Sequence, residues 1–243
     1  MTESDATPSK PPWAKRGFIA AAVIVGLIVI AGVLVTVMPS PDSDEGQQPP
    51  VTPTVSAPGS TSPAPLPTEL PTAAPSDVTW TLVSSLALPV SASAGPAKVT
   101  TTASGYAHTP TGALIAGAQL SIRSGITSPV EIAEHTITQQ FVAGPDRDRL
   151  LENVRLYAGT KIEPGAAGTI TGFAFNSYTP DTAVVSLLIR GPGNTSNPTY
   201  QVNTTSLQWR DGDWRMVPPP GGVWKSVSRP TTDLTGFVEW GPR

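Results

Sequence analysis

The sequence predicts an α+β domain carried behind one membrane-spanning helix and a disordered, proline-rich tether. Three observations lead there. Residues 17–38 contain no charged side chain, and residues 39–77 are dominated by proline, serine, threonine and alanine. In residues 78–243 the apolar spacing is first mostly helical and then changes to a period of two. Helices first and strands later are the order of segregated α+β folds, with helices packed on one face of an antiparallel sheet.

The segment "GFIAAAVIVGLIVIAGVLVTVM" is 22 residues long. At about 1.5 Å per residue it crosses the roughly 30 Å hydrocarbon layer of a bilayer. Its length and uniformly aliphatic character disfavour a buried core helix. A cleaved signal peptide has an apolar region of about 7–15 residues and a small-residue cleavage site, and "TVMPSPDS" offers no such site. We therefore expect an uncleaved signal-anchor. Lys10, Lys15 and Arg16 precede it, and no Lys or Arg follows until Lys98. Positive charge stays in the cytoplasm, which makes 1–16 a cytoplasmic tail and places the remainder outside the cell membrane. Trp13 sits where an interfacial aromatic belongs, and Ala22 and Gly26 form one small-xxx-small pair.

Residues 39–77, "PSPDSDEGQQPPVTPTVSAPGSTSPAPLPTELPTAAPSD", carry too little bulky apolar surface to fold. Proline favours extended polyproline conformations, so this stalk reaches on the order of 100 Å. Its five acids and no bases keep it solvated.

The domain spans residues 78–243. "VTWTLVSSLALPVS" (78–91) reads as one strand, with Val78, Trp80 and Leu82 at period two. In "GYAHTPTGALIAGAQLSI" (105–122), Thr109 is placed to cap a helix, Pro110 suits its first turn, and Leu114, Ile115 and Ala118 form an apolar stripe. "SPVE" predicts a second helix, with Ser128 and Glu131 as a capping box and Ile132, Ile137 and Phe141 along it. Asp146 leads a third through Leu150, Leu151, Val154 and Tyr157, stopped at Gly159. About four strands follow, over 168–179, 182–191, 199–209 and 214–217. The tail 218–243 gives no clear local pattern.

The most conspicuous stretch is "LQWRDGDWRMVPPP" (207–220). Asp-Gly between two alternating segments is a strong hairpin signal, because a type I′ turn needs positive φ at both central residues. With Asp211-Gly212 as the loop, Arg210 faces Asp213, Trp209 faces Trp214, Gln208 faces Arg215 and Leu207 faces Met216. One face is then apolar, with both tryptophans buried, and Arg210–Asp213 forms an opposite-charge pair. This is the pattern of a structural turn. A sugar platform needs exposed tryptophans, and Asp211 and Asp213 have no third carboxylate at calcium-loop spacing.

Other chemistry is sparse. The net charge is −3, and residues 79–243 hold 12 Lys+Arg against 11 Asp+Glu, with no basic stripe. Direct nucleic-acid binding is not expected. The absence of cysteine removes disulfides, thiolate metal sites and cysteine nucleophiles. His108 precedes a helix cap and reads as a satisfied polar residue; His135 reads as solvent-facing. Glu131, Glu134, Glu152, Glu163 and Asp181 show no spacing that selects a catalytic pair. No nucleophile elbow, zinc-protease helix, phosphate loop or dinucleotide fingerprint occurs. "RGPGNTSNP" (190–198) reads as a hairpin loop, and Asn194 and Asn203 lie in N-x-[ST] sequons.

The short tail, single span, stalk and "DGDWR" hairpin, with "LPVSASAGP" (88–96), "GYAHTPTGALIAG" (105–117) and "LTGFVEWGP" (234–242), look like membrane-anchored proteins of actinobacterial integrative and conjugative elements. Their extracellular domain resembles the nuclear-transport-factor-two-like (cystatin-like) cone, also used by the bitopic assembly factor of type IV secretion systems. The resemblance covers roughly 80–243. It implies about three helices on a curved antiparallel sheet, and a non-enzymatic assembly module of a conjugative DNA-transfer apparatus. It implies no catalytic, cofactor-binding or metal-binding residue, and partners among envelope or secretion-channel proteins, including a second copy of the chain. An alternative is a cell-wall or small-ligand receptor that uses the pocket of the cone. An exported enzyme on the same scaffold needs a buried acid or histidine facing that pocket.

Overall fold

The computed structural model describes residues 65–83, 86–158, 167–192 and 196–242, all within one compact unit, Ser62–Arg243. The expected cytoplasmic tail, the span at 17–38, the stalk up to 64, Gly159, Glu163 and Asn194 lie outside the described residues. Among the described residues no helix is long and apolar enough to cross a membrane. The unit is α+β, with three helices against a curved antiparallel sheet.

Residues 65–77 close the expected stalk. Pro71 and Pro75 are half-buried, and the Asp77 carboxylate accepts from Ser91 Oγ at 2.6 Å and Ser93 Oγ at 2.7 Å. Those two hydroxyls, Ser91 first, hold its carboxyl below the ordinary carboxylate range. The next stretch corrects the sequence expectation of one strand over 78–91. It is two strands, β1 (Val78–Val83) and β2 (Leu86–Ser91), paired antiparallel from Val78↔Ser91 to Val83↔Leu86. A shorter hairpin, β3 (Lys98–Val99) and β4 (Ala103–Ser104), follows.

Helix α1 (Pro110–Arg123) forms as the sequence predicts. Thr109 Oγ1 accepts from Gly112 N at 3.0 Å, and proline occupies the first turn. Leu114, Ile115 and Ala118 are fully buried, and so are Ala113, Ala116 and Leu120. The helix lies in the middle of the domain, between β2 and the main sheet.

Helix α2 (Val130–Gln140) carries a correction. Ser128 makes no capping box; the helix has no side-chain cap. The Ser128 hydroxyl instead donates to Ile122 O at 2.9 Å. The last carbonyls of a helix lack partners within it, and Ser128 serves the end of α1 rather than the start of α2. Helix α3 (Pro145–Tyr157) begins one residue earlier than predicted, with Asp146 and Asp148 in its first turn, where the helix dipole favours anions. Leu150 and Val154 are buried, whereas Leu156 and Tyr157 are exposed.

The main sheet is built from β5 (Thr169–Thr179), β6 (Thr182–Arg190), β7 (Tyr200–Arg210), β8 (Asp213–Met216), β9 (Ser228–Thr231) and β10 (Val238–Glu239). The order is β10-β5-β6-β7-β8, with β9 also on β7. Strand β7 is long enough to take β8 along Leu207–Arg210 and β9 along Tyr200–Asn203. Register shifts between Ile170 and Gly172 and between Phe175 and Ser177 add the bulges that bend β5. The inner face presents Phe173, Val185, Leu187, Leu207, Trp214 and Met216, all buried.

The tail, without a local pattern in the sequence, supplies β9 and β10. Between β8 and β9 a turn at Pro220–Gly222 docks on α3. Gly221 N donates to Asp146 Oδ1 at 3.1 Å and Asn153 Nδ2 donates to Gly222 O at 3.1 Å. Gly222 has φ +69°, and a methyl group there would overlap the α3 backbone at Leu150.

Candidate functional site

The Asp-Gly hairpin has the register expected of it: Leu207↔Met216, Gln208↔Arg215, Trp209↔Trp214 and Arg210↔Asp213. Asp211 (φ 53°) and Gly212 (φ 75°) take the positive φ of a type I′ turn. Two side-chain expectations are corrected. Trp214 is fully buried, but Trp209 is only half-buried. Arg210 and Asp213 face each other without an ion pair. Arg210 Nε donates to Gln208 Oε1 at 2.7 Å, while the buried Asp213 carboxylate accepts from Gly105 N and Tyr106 N at 3.0 Å and from Trp214 N at 2.9 Å. Three backbone donors satisfy a buried carboxylate better than one exposed guanidinium at the surface does. The loop before α1 is thereby fastened to the hairpin.

His108 completes that corner. Its ring stacks on Trp209 with centroids 3.9 Å apart and planes 5° apart, and meets the edge of Trp214 at 6.0 Å. Nε2 lies 2.6 Å from Pro180 O. A carbonyl only accepts, so Nε2 carries the hydrogen and is engaged with backbone. Trp214 Nε1 donates to Ala107 O at 3.0 Å. The arrangement ties the 105–108 loop to two turns of the sheet.

The remaining candidates are scattered. His135 is exposed on α2. Glu134 pairs with Arg155 at 2.8 Å, and Glu131, Glu152 and Asp181 are exposed on separate elements. Among the described residues, no three His, Asp or Glu side chains gather as a metal site. Asn203 lies inside β7, paired on both sides, and Thr205 of its sequon is buried and donates to Val185 O at 3.2 Å.

Sequence reasoning missed an internal polar chain. Arg123, in the last turn of α1, is 2% exposed. Its Nε donates to Gln119 Oε1 at 2.9 Å, and Gln119 Nε2 donates to Pro89 O at 2.8 Å. No carboxylate among the described residues pairs with it, although a helix C-terminus favours a cation. Burial pushes its guanidinium down from the usual range. Burial also drives the Tyr106 phenol well above its ordinary value, and the Asp213 charge adds to the shift. A charged residue ending an amphipathic helix reads as solvated, and only tertiary packing buries this one.

A second feature escaped the sequence as well. A cleft of about 690 Å³ opens between the β1–β2 hairpin and the corner of the main sheet where β5 begins and β10 ends. Val78 and Trp80 line one side; Thr171, Arg190, Glu239 and Trp240 line the other. Trp80 and Trp240 meet at 4.9 Å with planes 57° apart, and Trp240 packs edge-on against Phe173 at 5.6 Å. Arg190 and Glu239 are exposed, and neither pairs with an opposite charge among the described residues. The members of this cleft come from four separate stretches of the chain, 74–80, 169–171, 190 and 239–242, so no local motif announces it.

One protein family, described as a domain of unknown function (DUF8175), matches residues 39–239. No curated protein and no solved structure matches the chain.

Proposed function

The chain belongs to the DUF8175 family, and from that premise we propose that it is a non-enzymatic, single-pass envelope protein acting as a protein–protein assembly module. The setting we propose is a conjugative, type IV secretion-like apparatus, with the α+β domain outside the membrane. The charge-free run at 17–38, the positive residues before it and the proline-rich stretch after it support the topology. The resemblance of the 80–243 segment to domains of conjugative elements supports the setting.

The observation that favours a module over an enzyme or receptor of the cone type is the packed interior. The inner face of the sheet is filled by α1, whose residues from Ala113 to Leu120 are buried throughout. His108, the one histidine near that interior, has a ring nitrogen engaged with the Pro180 carbonyl. A ligand pocket needs space and uncommitted polar groups, and this face offers a close-packed core instead.

The test is genetic. An in-frame deletion of the codons for 78–243 from the element that carries the gene should lower conjugative transfer by orders of magnitude, restored by the full-length chain in trans. Transfer at the unaltered frequency removes the proposal.

A further inference from the structure

We propose that the cleft between β1 and the β5–β10 corner binds an extended peptide segment of a partner protein, carrying one acidic and one basic residue four positions apart. This deepens the assembly-module proposal and rests on it, since it names the surface through which such a module meets its partner.

The volume is the first argument. About 690 Å³ lies within the roughly 300–1,000 Å³ range of ligand sites and accommodates a few residues of extended chain. The charges are the second. Arg190 and Glu239 stand on the same cleft, exposed and without partners of opposite charge among the described residues. Thr169 of β5 pairs with Arg190, and Gly172 of β5 pairs with Glu239 on the other side. The bulge between Ile170 and Gly172 absorbs one residue, so Glu239 lies two strand spacings across and two register steps along from Arg190, on the same face, with the two Cα atoms on the order of 12 Å apart. In an extended peptide, residues i and i+4 lie about 13 Å apart and point to the same side. An acid facing Arg190 and a base facing Glu239 then engage together.

The walls supply the third argument. Ala74, Pro75 and Ser76 line the cleft, and among the described residues no backbone hydrogen bond holds Ala74 or Ser76. Their N–H and C=O groups suit a ligand that itself presents alternating donors and acceptors. Trp80 and Val78 give the apolar contact that desolvates the centre of such a segment. A neutral saccharide uses the tryptophan and leaves both charges idle, so the paired charges favour peptide over glycan.

The experiment uses the full chain in detergent micelles and isothermal titration with end-blocked pentapeptides. Glu-Thr-Ser-Thr-Lys and Lys-Thr-Ser-Thr-Glu are compared with neutral Gln-Thr-Ser-Thr-Gln and with chitobiose. One charged order should bind about tenfold more tightly than the neutral peptide, the ratio of roughly two modest charge pairs. The double variant Arg190→Glu with Glu239→Arg should then prefer the opposite order. Both side chains are exposed, so the variant should melt with the parent, and a thermal scan checks this. Equal binding of all three peptides, no binding of any, binding of chitobiose alone, or an unchanged order preference in a folded variant each overturns the proposal. Peptide binding by a protein whose deletion leaves transfer intact removes the conjugative setting instead, so the two failures are distinguishable.

Discussion

The hairpin at 207–216 and the tail at 218–242 are neighbours in sequence and similarly aromatic, yet they are built on opposite principles. The hairpin closes on itself. Asp211 and Gly212 adopt the turn, and the register of four residue pairs follows from it. The tail makes only short turns of its own, at Pro220–Gly222 and Trp224–Val227. It lies along other elements: Gly222 against α3, β9 on the start of β7, β10 on β5, and Trp240 between Trp80 and Phe173. Aromatic content alone therefore says little about how a segment folds. What matters is whether its partners are four residues away or a hundred.

Three substitutions sharpen this contrast. The largest effect is expected in the tail. Trp240 is 3% exposed, and truncating a buried aromatic leaves a cavity, so Trp240→Ala should cost about 3–5 kcal/mol in urea unfolding. A loss below about 1 kcal/mol would show the tail to be an appendage and dissolve the comparison.

Asp213→Ala tests one of the hairpin's long-range ties. It removes an acceptor from three backbone N–H groups, two of them in the 105–106 loop, and should cost about 2–3 kcal/mol. Asp213→Asn should recover part of that loss. If Asp213→Ala instead unfolds with the parent, the carboxylate does not hold the loop.

The smallest effect is local. A methyl group at Gly212 meets nothing within 4 Å, so Gly212→Ala bears only the cost of φ +75°, about 1–2 kcal/mol. Cross-peaks between residues 209 and 214 in a nuclear Overhauser spectrum should survive. A shifted register would mean that the turn glycine governs more than its own conformation.

Legibility in the rest of the molecule follows the same division. Helix α1 was readable because its cap, its proline and its stripe lie within fifteen residues. Strands β5 and β6 were readable from alternation and from the Pro180-Asp181 turn. The split of 78–91 into two strands was not, since Val78, Trp80 and Leu82 alternate just as a single strand does. The candidate site was the least legible part. His108 could be seen and its satisfaction anticipated, whereas the cleft depends on β1, β6 and β10 arriving at one corner.

By itself the sequence determined the α+β order, the helix starts at Thr109 and near Pro145, and the hairpin register. Each rests on steric or hydrogen-bonding preferences that act over a few residues. The tertiary structure alone decided that Ser128 finishes α1, that Asp213 reaches back to Gly105 and Tyr106, that Arg123 is enclosed, and that the tail adds two strands. Those outcomes depend on which buried N–H, C=O or guanidinium lies within about 3 Å once the chain has collapsed. Groups that come so close from opposite ends of the chain leave no periodic mark in either segment.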